Sequence, residues 1–281
     1  MSRVGFFTDT SLCIGCKACE VACKEWNHVP DDGYEWSGHS YDNTMGLGAD
    51  TWRHVAFVEQ RLPVGVQEGI HGSLVQQAAR QELDLDGERD GGGLRWLMAS
   101  DVCKHCTHAA CLDVCPTGAL FRTELDTVVV QPDVCNGCGY CVPACPFGVL
   151  DRREGDGRVW KCTLCYDRTK EGLEPACAKA CPTDSIQYGE LDDLRERAER
   201  RVARLQEAGV PGARLYGADP GGGVGGFGAF FLLLDEPEVY GLPPDPVATT
   251  RELPSIYAAA AVAAGALAAG IAAAVGLGRR R

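Results

Sequence analysis

Sixteen cysteines sort by spacing into four groups of four, with none left over. The groups are Cys13, Cys16, Cys19 and Cys23; Cys103, Cys106, Cys111 and Cys115; Cys135, Cys138, Cys141 and Cys145; and Cys162, Cys165, Cys177 and Cys181. The first and third follow C-x2-C-x2-C-x3-C. Three of the four groups end in Cys-Pro, at Pro116, Pro146 and Pro182. Thiolate is a soft anionic ligand, and four at this spacing close the coordination of a cubane iron–sulfur cluster. Sixteen thiolates at four per cluster predict four [4Fe–4S] clusters with iron as the metal. Four such centres in one chain are suited to moving electrons.

Two other uses of cysteine compete with this reading. A disulfide framework belongs to short secreted chains, and 16 cysteines in 281 residues fall below its density. Three cysteines within seven residues also have poor geometry for pairing with one another. Zinc is the stronger rival, because C-x2-C pairs build tetrahedral zinc sites. Zinc usually joins two separated pairs across a spacer and has no need of a third cysteine two residues on.

The elements that must hold these ligands can be read along the chain. Residues 6–26 predict a short strand, a ligand loop and a helix beginning near Cys19. Residues 27–100 form a long insertion without cysteine. It carries Trp36, Trp52 and Trp96, a glycine turn at Gly91–Gly93 and a short strand around His54–Glu59. Between the second and third groups, FRTELDTVVVQPDV reads as a hairpin, with Val128–Val130 as a β-branched run and Pro132-Asp133 as a turn. Residues 190–208 predict an amphipathic helix with Leu191, Leu194, Ala198, Val202 and Leu205 on one stripe, ended by Gly209 and Pro211.

Four loop-plus-helix units amount to two copies of a two-cluster ferredoxin. In such ferredoxins the fourth cysteine of each run ligates the other cluster. The adjacent second and third groups then pair: Cys103, Cys106, Cys111 and Cys145 hold one cluster, and Cys135, Cys138, Cys141 and Cys115 its mate. The first and fourth groups pair across the chain, giving Cys13, Cys16, Cys19 and Cys181, and Cys162, Cys165, Cys177 and Cys23. The fold class expected is α+β: two pseudo-symmetric ferredoxin-like two-cluster modules, one inserted in the other, plus a C-terminal transmembrane helix. The boundaries expected are 1–100 for the first half of the outer module, 101–150 for the inner module and 151–190 for the second outer half. Residues 191–253 are a helix and partner-contact region, and 254–281 a membrane helix with a basic tail.

Lys17, Lys24, Lys104, Lys161 and Lys179 lie beside the ligands. They are either solvated surface charges or cations that favour a cluster's reduced form. His105 reads as a loop donor or an exposed residue, since the cysteines already close the ligand count. No G-x-S-x-G, HExxH or P-loop is present, so no catalytic constellation is expected. The glycine run at 221–228 lacks the Lys-Ser/Thr of a P-loop and reads as a flexible or partner-contacting loop. A formal charge of −12 and the lack of a basic stripe exclude nucleic-acid binding.

From Ile256 to Gly278 the chain carries no charge, and three arginines follow. That length spans a bilayer of roughly 30 Å as a helix. Small residues four apart, Ala261, Gly265 and Ala269, suit close contact with a neighbouring helix. A soluble alanine-rich helix is the alternative. Charge asymmetry places the C-terminus in the cytoplasm and the cluster region on the outer face. The N-terminal MSRVGFFTDT has no signal-peptide pattern, so export is expected to depend on a partner bearing a twin-arginine signal.

On the segments at 9–27, 41–57, 135–149, 161–183, 223–226 and 240–246, with one C-terminal span, the chain resembles the iron–sulfur beta subunit of membrane-bound respiratory formate dehydrogenase. It sits within the larger group of four-cluster subunits serving molybdenum or tungsten oxidoreductases. The resemblance implies a catalytic alpha subunit with molybdopterin that oxidises formate, and a membrane cytochrome b gamma subunit that passes electrons to quinone. The present chain would be a non-catalytic relay between them, held in the cell membrane by one span. Alternatives are the equivalent subunit of a hydrogenase or of a dimethyl sulfoxide, polysulfide or tetrathionate reductase, or a stand-alone redox sensor or soluble ferredoxin.

Overall fold

The computed structural model describes residues 3–33, 44, 46–61 and 94–278. Trp36, the glycine turn Gly91–Gly93, residues 41–43 and 45, and Arg279–Arg281 lie outside the described residues. The fold is mixed α and β.

Aromatic and aliphatic runs make the central sheet. Strand β1 (Val4–Asp9) and strand β10 (Ala229–Leu233) pair in parallel, with Phe6 opposite Ala229 and Asp9 opposite Leu232. All five residues of β10 are buried, as a central strand covered on both faces requires. Phe7 stacks on Phe230 at 5.3 Å. Each such fully buried side chain contributes about 1.5–3 kcal/mol. Strand β8 (Ile186–Glu190) lies antiparallel on the other edge of β1, and β9 (Arg214–Tyr216) antiparallel on β10, giving the order β8-β1-β10-β9. The sheet thus joins the chain's first strand to segments distant in sequence.

Three two-stranded ribbons complete the strands. The first joins β2 (Arg53–Arg61) to β3 (Leu94–Val102). The short strand expected near His54–Glu59 is therefore longer, and it has a partner in LRWLMASDV. There the mixture of polar and apolar residues masks a half-buried strand leading straight into Cys103. Strands β4 (Leu120–Arg122) and β5 (Val128–Val130) form the hairpin expected between the second and third cysteine groups. The last ribbon is β6 (Asp151–Arg152) with β7 (Val159–Trp160).

Most of the short helices carry cysteines. Helix α1 (Ala18–Asn27) carries Cys19 and Cys23, α2 (Ala110–Asp113) carries Cys111, and α3 (Cys141–Ala144) starts on Cys141. Helix α4 (Tyr166–Thr169) follows Cys165, and α5 (Ala176–Lys179) carries Cys177. Helix α1 packs against α5, and α2 against α3. The first cysteine group therefore meets the fourth, and the second meets the third.

Helix α6 (Leu191–Glu207) covers the sheet, burying Leu191, Leu194, Ala198 and Leu205 as its stripe predicts. Past its end Gly209 takes φ 87°, a conformation glycine adopts without steric penalty. Helix α7 (Leu253–Gly278) is long and apolar enough to cross a membrane. Its described side chains, Ile256, Tyr257, Val262, Leu267, Ile271 and Val275 among them, are exposed.

Candidate functional site

Each ligand loop begins with C-x2-C, and in all four the residue just before the second cysteine is left-handed. These residues are Gly15 (φ 66°), His105 (φ 44°), Gly137 (φ 72°) and Leu164 (φ 58°). Two loops use glycine there. The other two hold a side chain at a cost of about 1–2 kcal/mol, strain that persists only where surrounding structure imposes it. In two of the loops the turn aims a backbone N–H at sulfur: Leu164 N donates to Cys162 Sγ at 3.3 Å, and the Gly15 N–H bonds Cys13 and partly opposes the upward push of burial on its pKa. Four different dipeptide spacers thus fold into one ligand turn.

All sixteen cysteines are unpaired thiols, so the disulfide reading fails. Cys13, Cys16, Cys19 and Cys181 line one cavity, together with Lys17, Val55 and Ser185. Elsewhere the thiols group by their mutual influence. Cys106 is held well above its ordinary pKa by burial and then by Cys103, Cys111 and Cys145. Cys141 is pushed up to about 11 by burial, with Cys115, Cys135 and Cys138 adding to it. Cys23 is raised by burial and then by Cys162, Cys177 and Cys165.

The groupings also lie within electrostatic reach of one another. Cys177 acts on Cys19, Cys103 acts on Cys162, and Cys141 acts on Cys111. A succession results, from the quartet containing Cys16 to the quartet containing Cys138. Cys16 and Cys138 are the two exposed cysteines of the sixteen.

These thiols suit a cluster better than a single ion. Around one zinc, thiolates about 2.3 Å from the metal stand close to 4 Å apart. Among the described residues no three His, Cys, Asp or Glu side chains converge closely enough to hold one metal ion. Burial pushes Cys111 and Cys162 up to about 12, so their thiolate form needs a cationic centre among the sulfurs, which iron would supply, to offset desolvation and mutual repulsion.

The buried cations fall between the thiols. Lys104 and Lys161 are each 1 % exposed. Lys104 Nζ donates to the Asp101 carboxylate and to Val102 O, and lies 4.9 Å from the centre of the Phe231 ring. Lys161 Nζ donates to Val128 O at 2.5 Å and Cys162 O at 2.8 Å. The remaining lysines are less buried, and Lys17 borders the cavity of the first group. Lys17 pairs with Glu20 at 3.3 Å, Lys24 with Asp32 at 2.9 Å, and Lys179 is exposed.

Three features depart from the sequence reading. His105 is neither an exposed residue nor a side-chain donor: it is 1 % exposed, and its Nδ1 accepts the Val128 N–H. Burial, then Lys161 and Arg3, hold it well below its usual pKa and therefore neutral. The glycine run does not stand free. Gly226 O and Val224 O accept from Thr107 N and His108 N, and Gly228 N donates to His105 O, so the run backs the second ligand loop. Its close approach explains its composition, since a Cβ on Gly228 would lie 3.1 Å from His105 Cβ. The third feature is Arg53, which sequence reading missed because it lies in the long stretch between Cys23 and Cys103, far from any cysteine. It is 2 % exposed at the start of β2, in the field of Cys177, Cys19, Cys162 and Cys23.

Comparison with known proteins agrees with this chemistry. Two models of a 4Fe-4S dicluster domain match the sequence, one over residues 12–119 and one over 94–191. The nitrate-inducible formate dehydrogenase iron–sulfur subunit of Escherichia coli is 38 % identical over 252 residues, covering 87 % of this chain and 74 % of that protein. The formate dehydrogenase iron–sulfur subunit of Haemophilus influenzae is 40 % identical over 242 residues, covering 85 % and 68 %. The B subunit of the anaerobic dimethyl sulfoxide reductase of Escherichia coli is 32 % identical over 201 residues, covering 70 % and 78 %.

Proposed function

This protein belongs to the family of formate dehydrogenase iron–sulfur subunits, and we propose that it receives electrons from a formate-oxidising molybdopterin subunit and delivers them to a membrane cytochrome b, and so to quinone. The chain itself is an electron-transfer subunit and not a catalyst, and its cofactors are four [4Fe–4S] clusters. Each cluster, when bound, supplies a site that gains and loses one electron. What the protein contributes is spacing, burial and charge.

The ligand sets we assign are Cys13, Cys16, Cys19 and Cys181; Cys162, Cys165, Cys177 and Cys23; Cys103, Cys106, Cys111 and Cys145; and Cys135, Cys138, Cys141 and Cys115. The thiol groupings and the packing of α1 on α5 and α2 on α3 support them. In this reading residues 101–150 form an inner two-cluster module, inserted in an outer one made from 1–100 and 151–190.

The observation that carries the proposal is the succession of quartets with an exposed cysteine at either end. Its polarity follows from where the apolar helix is rooted. A 3-10 turn at Thr249–Glu252 leads into α7 and packs on α2, where Thr250 Oγ1 donates to Asp113 at 2.5 Å. Asp113 lies between Cys111 and Cys115, so the last two quartets sit at the membrane end and Cys16 faces the catalytic partner. Helix α7, at about 1.5 Å per residue, is long enough to cross the bilayer. The charge asymmetry supports a cluster region on the outer face, carried there by a partner with a twin-arginine signal.

The dimethyl sulfoxide reductase relatives favour one alternative, a subunit that accepts electrons from the membrane and reduces a partner's substrate. Greater identity and a larger matched share of this chain favour formate. Co-purification through this chain, followed by metal analysis and a formate–dye reduction assay, decides between them. Dye reduction by formate is expected. A complex that oxidises a reduced dye with dimethyl sulfoxide and ignores formate supports the alternative.

A further inference from the structure

The guanidinium of Arg53 occupies a junction between two quartets. Nη1 donates to Ser100 Oγ at 3.0 Å, and Ser100 Oγ in turn lies 3.2 Å from Cys19 Sγ. Its carbon stands 5.0 Å from the centre of the Phe6 ring. Nε and Nη2 are buried with no nitrogen or oxygen acceptor among the described residues, and the guanidinium lies beside the Cys177 sulfur. Donors left so are costly, and an arginine keeps its charge when buried. The groups that would offset both are Cys177, Cys19, Cys162 and Cys23, in whose field the guanidinium lies, once they are thiolates ligating their clusters.

We propose that Arg53 is a positioning residue whose fixed charge raises the reduction potentials of the two clusters held by the first and fourth cysteine groups together. This rests on the ligand sets assigned above. A reduced cluster carries one more negative charge than an oxidised one. A buried cation, weakly screened, therefore favours the reduced state. Arg53 lies in the field of cysteines from both quartets, so it moves the two potentials in the same direction. Its place is set by the β2–β3 register, Arg53 opposite Val102, and by Glu20 of α1, which accepts the Val55 N–H.

The test is potentiometric titration of the purified complex, followed by electron paramagnetic resonance, for the wild type, R53M and R53K. In R53M the ratio of reduced to oxidised cluster is expected to fall at least tenfold at a fixed potential for these two clusters, about 59 mV for one electron. The two clusters held by the second and third groups are expected to stay put. R53K is expected to remain within threefold of the wild type. Fully loaded R53M with unshifted potentials overturns the proposal, as does R53K shifting as far as R53M. Should R53M load incompletely, full loading and wild-type potentials in R53K support the role of charge. Loss of the same clusters in R53K makes Arg53 a packing residue and overturns it. Fewer than four clusters in the wild type overturns instead the reading on which the proposal rests.

Discussion

Leu164 shows how a single residue can satisfy two opposing demands. Its left-handed backbone costs about 1–2 kcal/mol that glycine would relieve. Its side chain, 1 % exposed, would cost about 2–5 kcal/mol to remove. Burial outweighs strain, so Leu164→Gly is expected to lower stability by roughly 1–3 kcal/mol. The check is the urea midpoint followed by cluster absorbance, and a gain in stability would mean that strain dominates. Ligand exchange between runs can also be tested at one residue. Cys145→Ser is expected to abolish the magnetic signal of the cluster held by Cys103, Cys106 and Cys111. Loss of the signal from Cys135, Cys138 and Cys141 instead would show each run serving its own cluster. Cysteines were legible because their chemistry is inseparable from their spacing. Arg53 was not, because its role comes from a strand register that brings positions distant in sequence together.

Among the elements, the amphipathic helix α6 and the hairpin around Val128–Val130 were readable because their signals are local. Strand β3 and the glycine run were not. Their form is imposed by what they touch: β3 by its ribbon partner, the glycines by the second ligand loop. Gly217 tests this buttress. Its φ is 81°, and a Cβ there would lie 1.8 Å from Cδ2 of Phe227. Phe227 is 1 % exposed and edge-on to Phe147 at 5.3 Å and to Tyr216 at 5.2 Å, so it cannot yield. Gly217→Ala is expected to cost about 2–5 kcal/mol, strain plus overpacking, and to loosen the loop carrying Cys103 and Cys106. Gly118→Ala, with φ 69° and open space around its Cβ, is expected to cost only about 1–2 kcal/mol from strain. Equal losses in thermal unfolding would remove the buttress from the account.

For the whole molecule, the proposed succession of four quartets, the proposed role of the buried Arg53 and the exposed apolar helix together make up a relay tied to a membrane. The proposed outer-face location has its own check. The cluster region is expected to be digested by protease in spheroplasts and protected in inverted vesicles, and the reverse pattern places it in the cytoplasm. The apolar length of α7 was plain from composition, whereas its rooting beside α2 depends on a hydrogen bond between Thr250 and Asp113, 137 residues apart. The most direct test of the central claim is iron and spin quantitation on the complex purified through this chain and reduced with formate, after the partner's own signals are subtracted. Four reduced [4Fe–4S] centres per copy of this chain are the expected result. Two or fewer, or stoichiometric zinc in place of iron, would contradict a four-cluster relay.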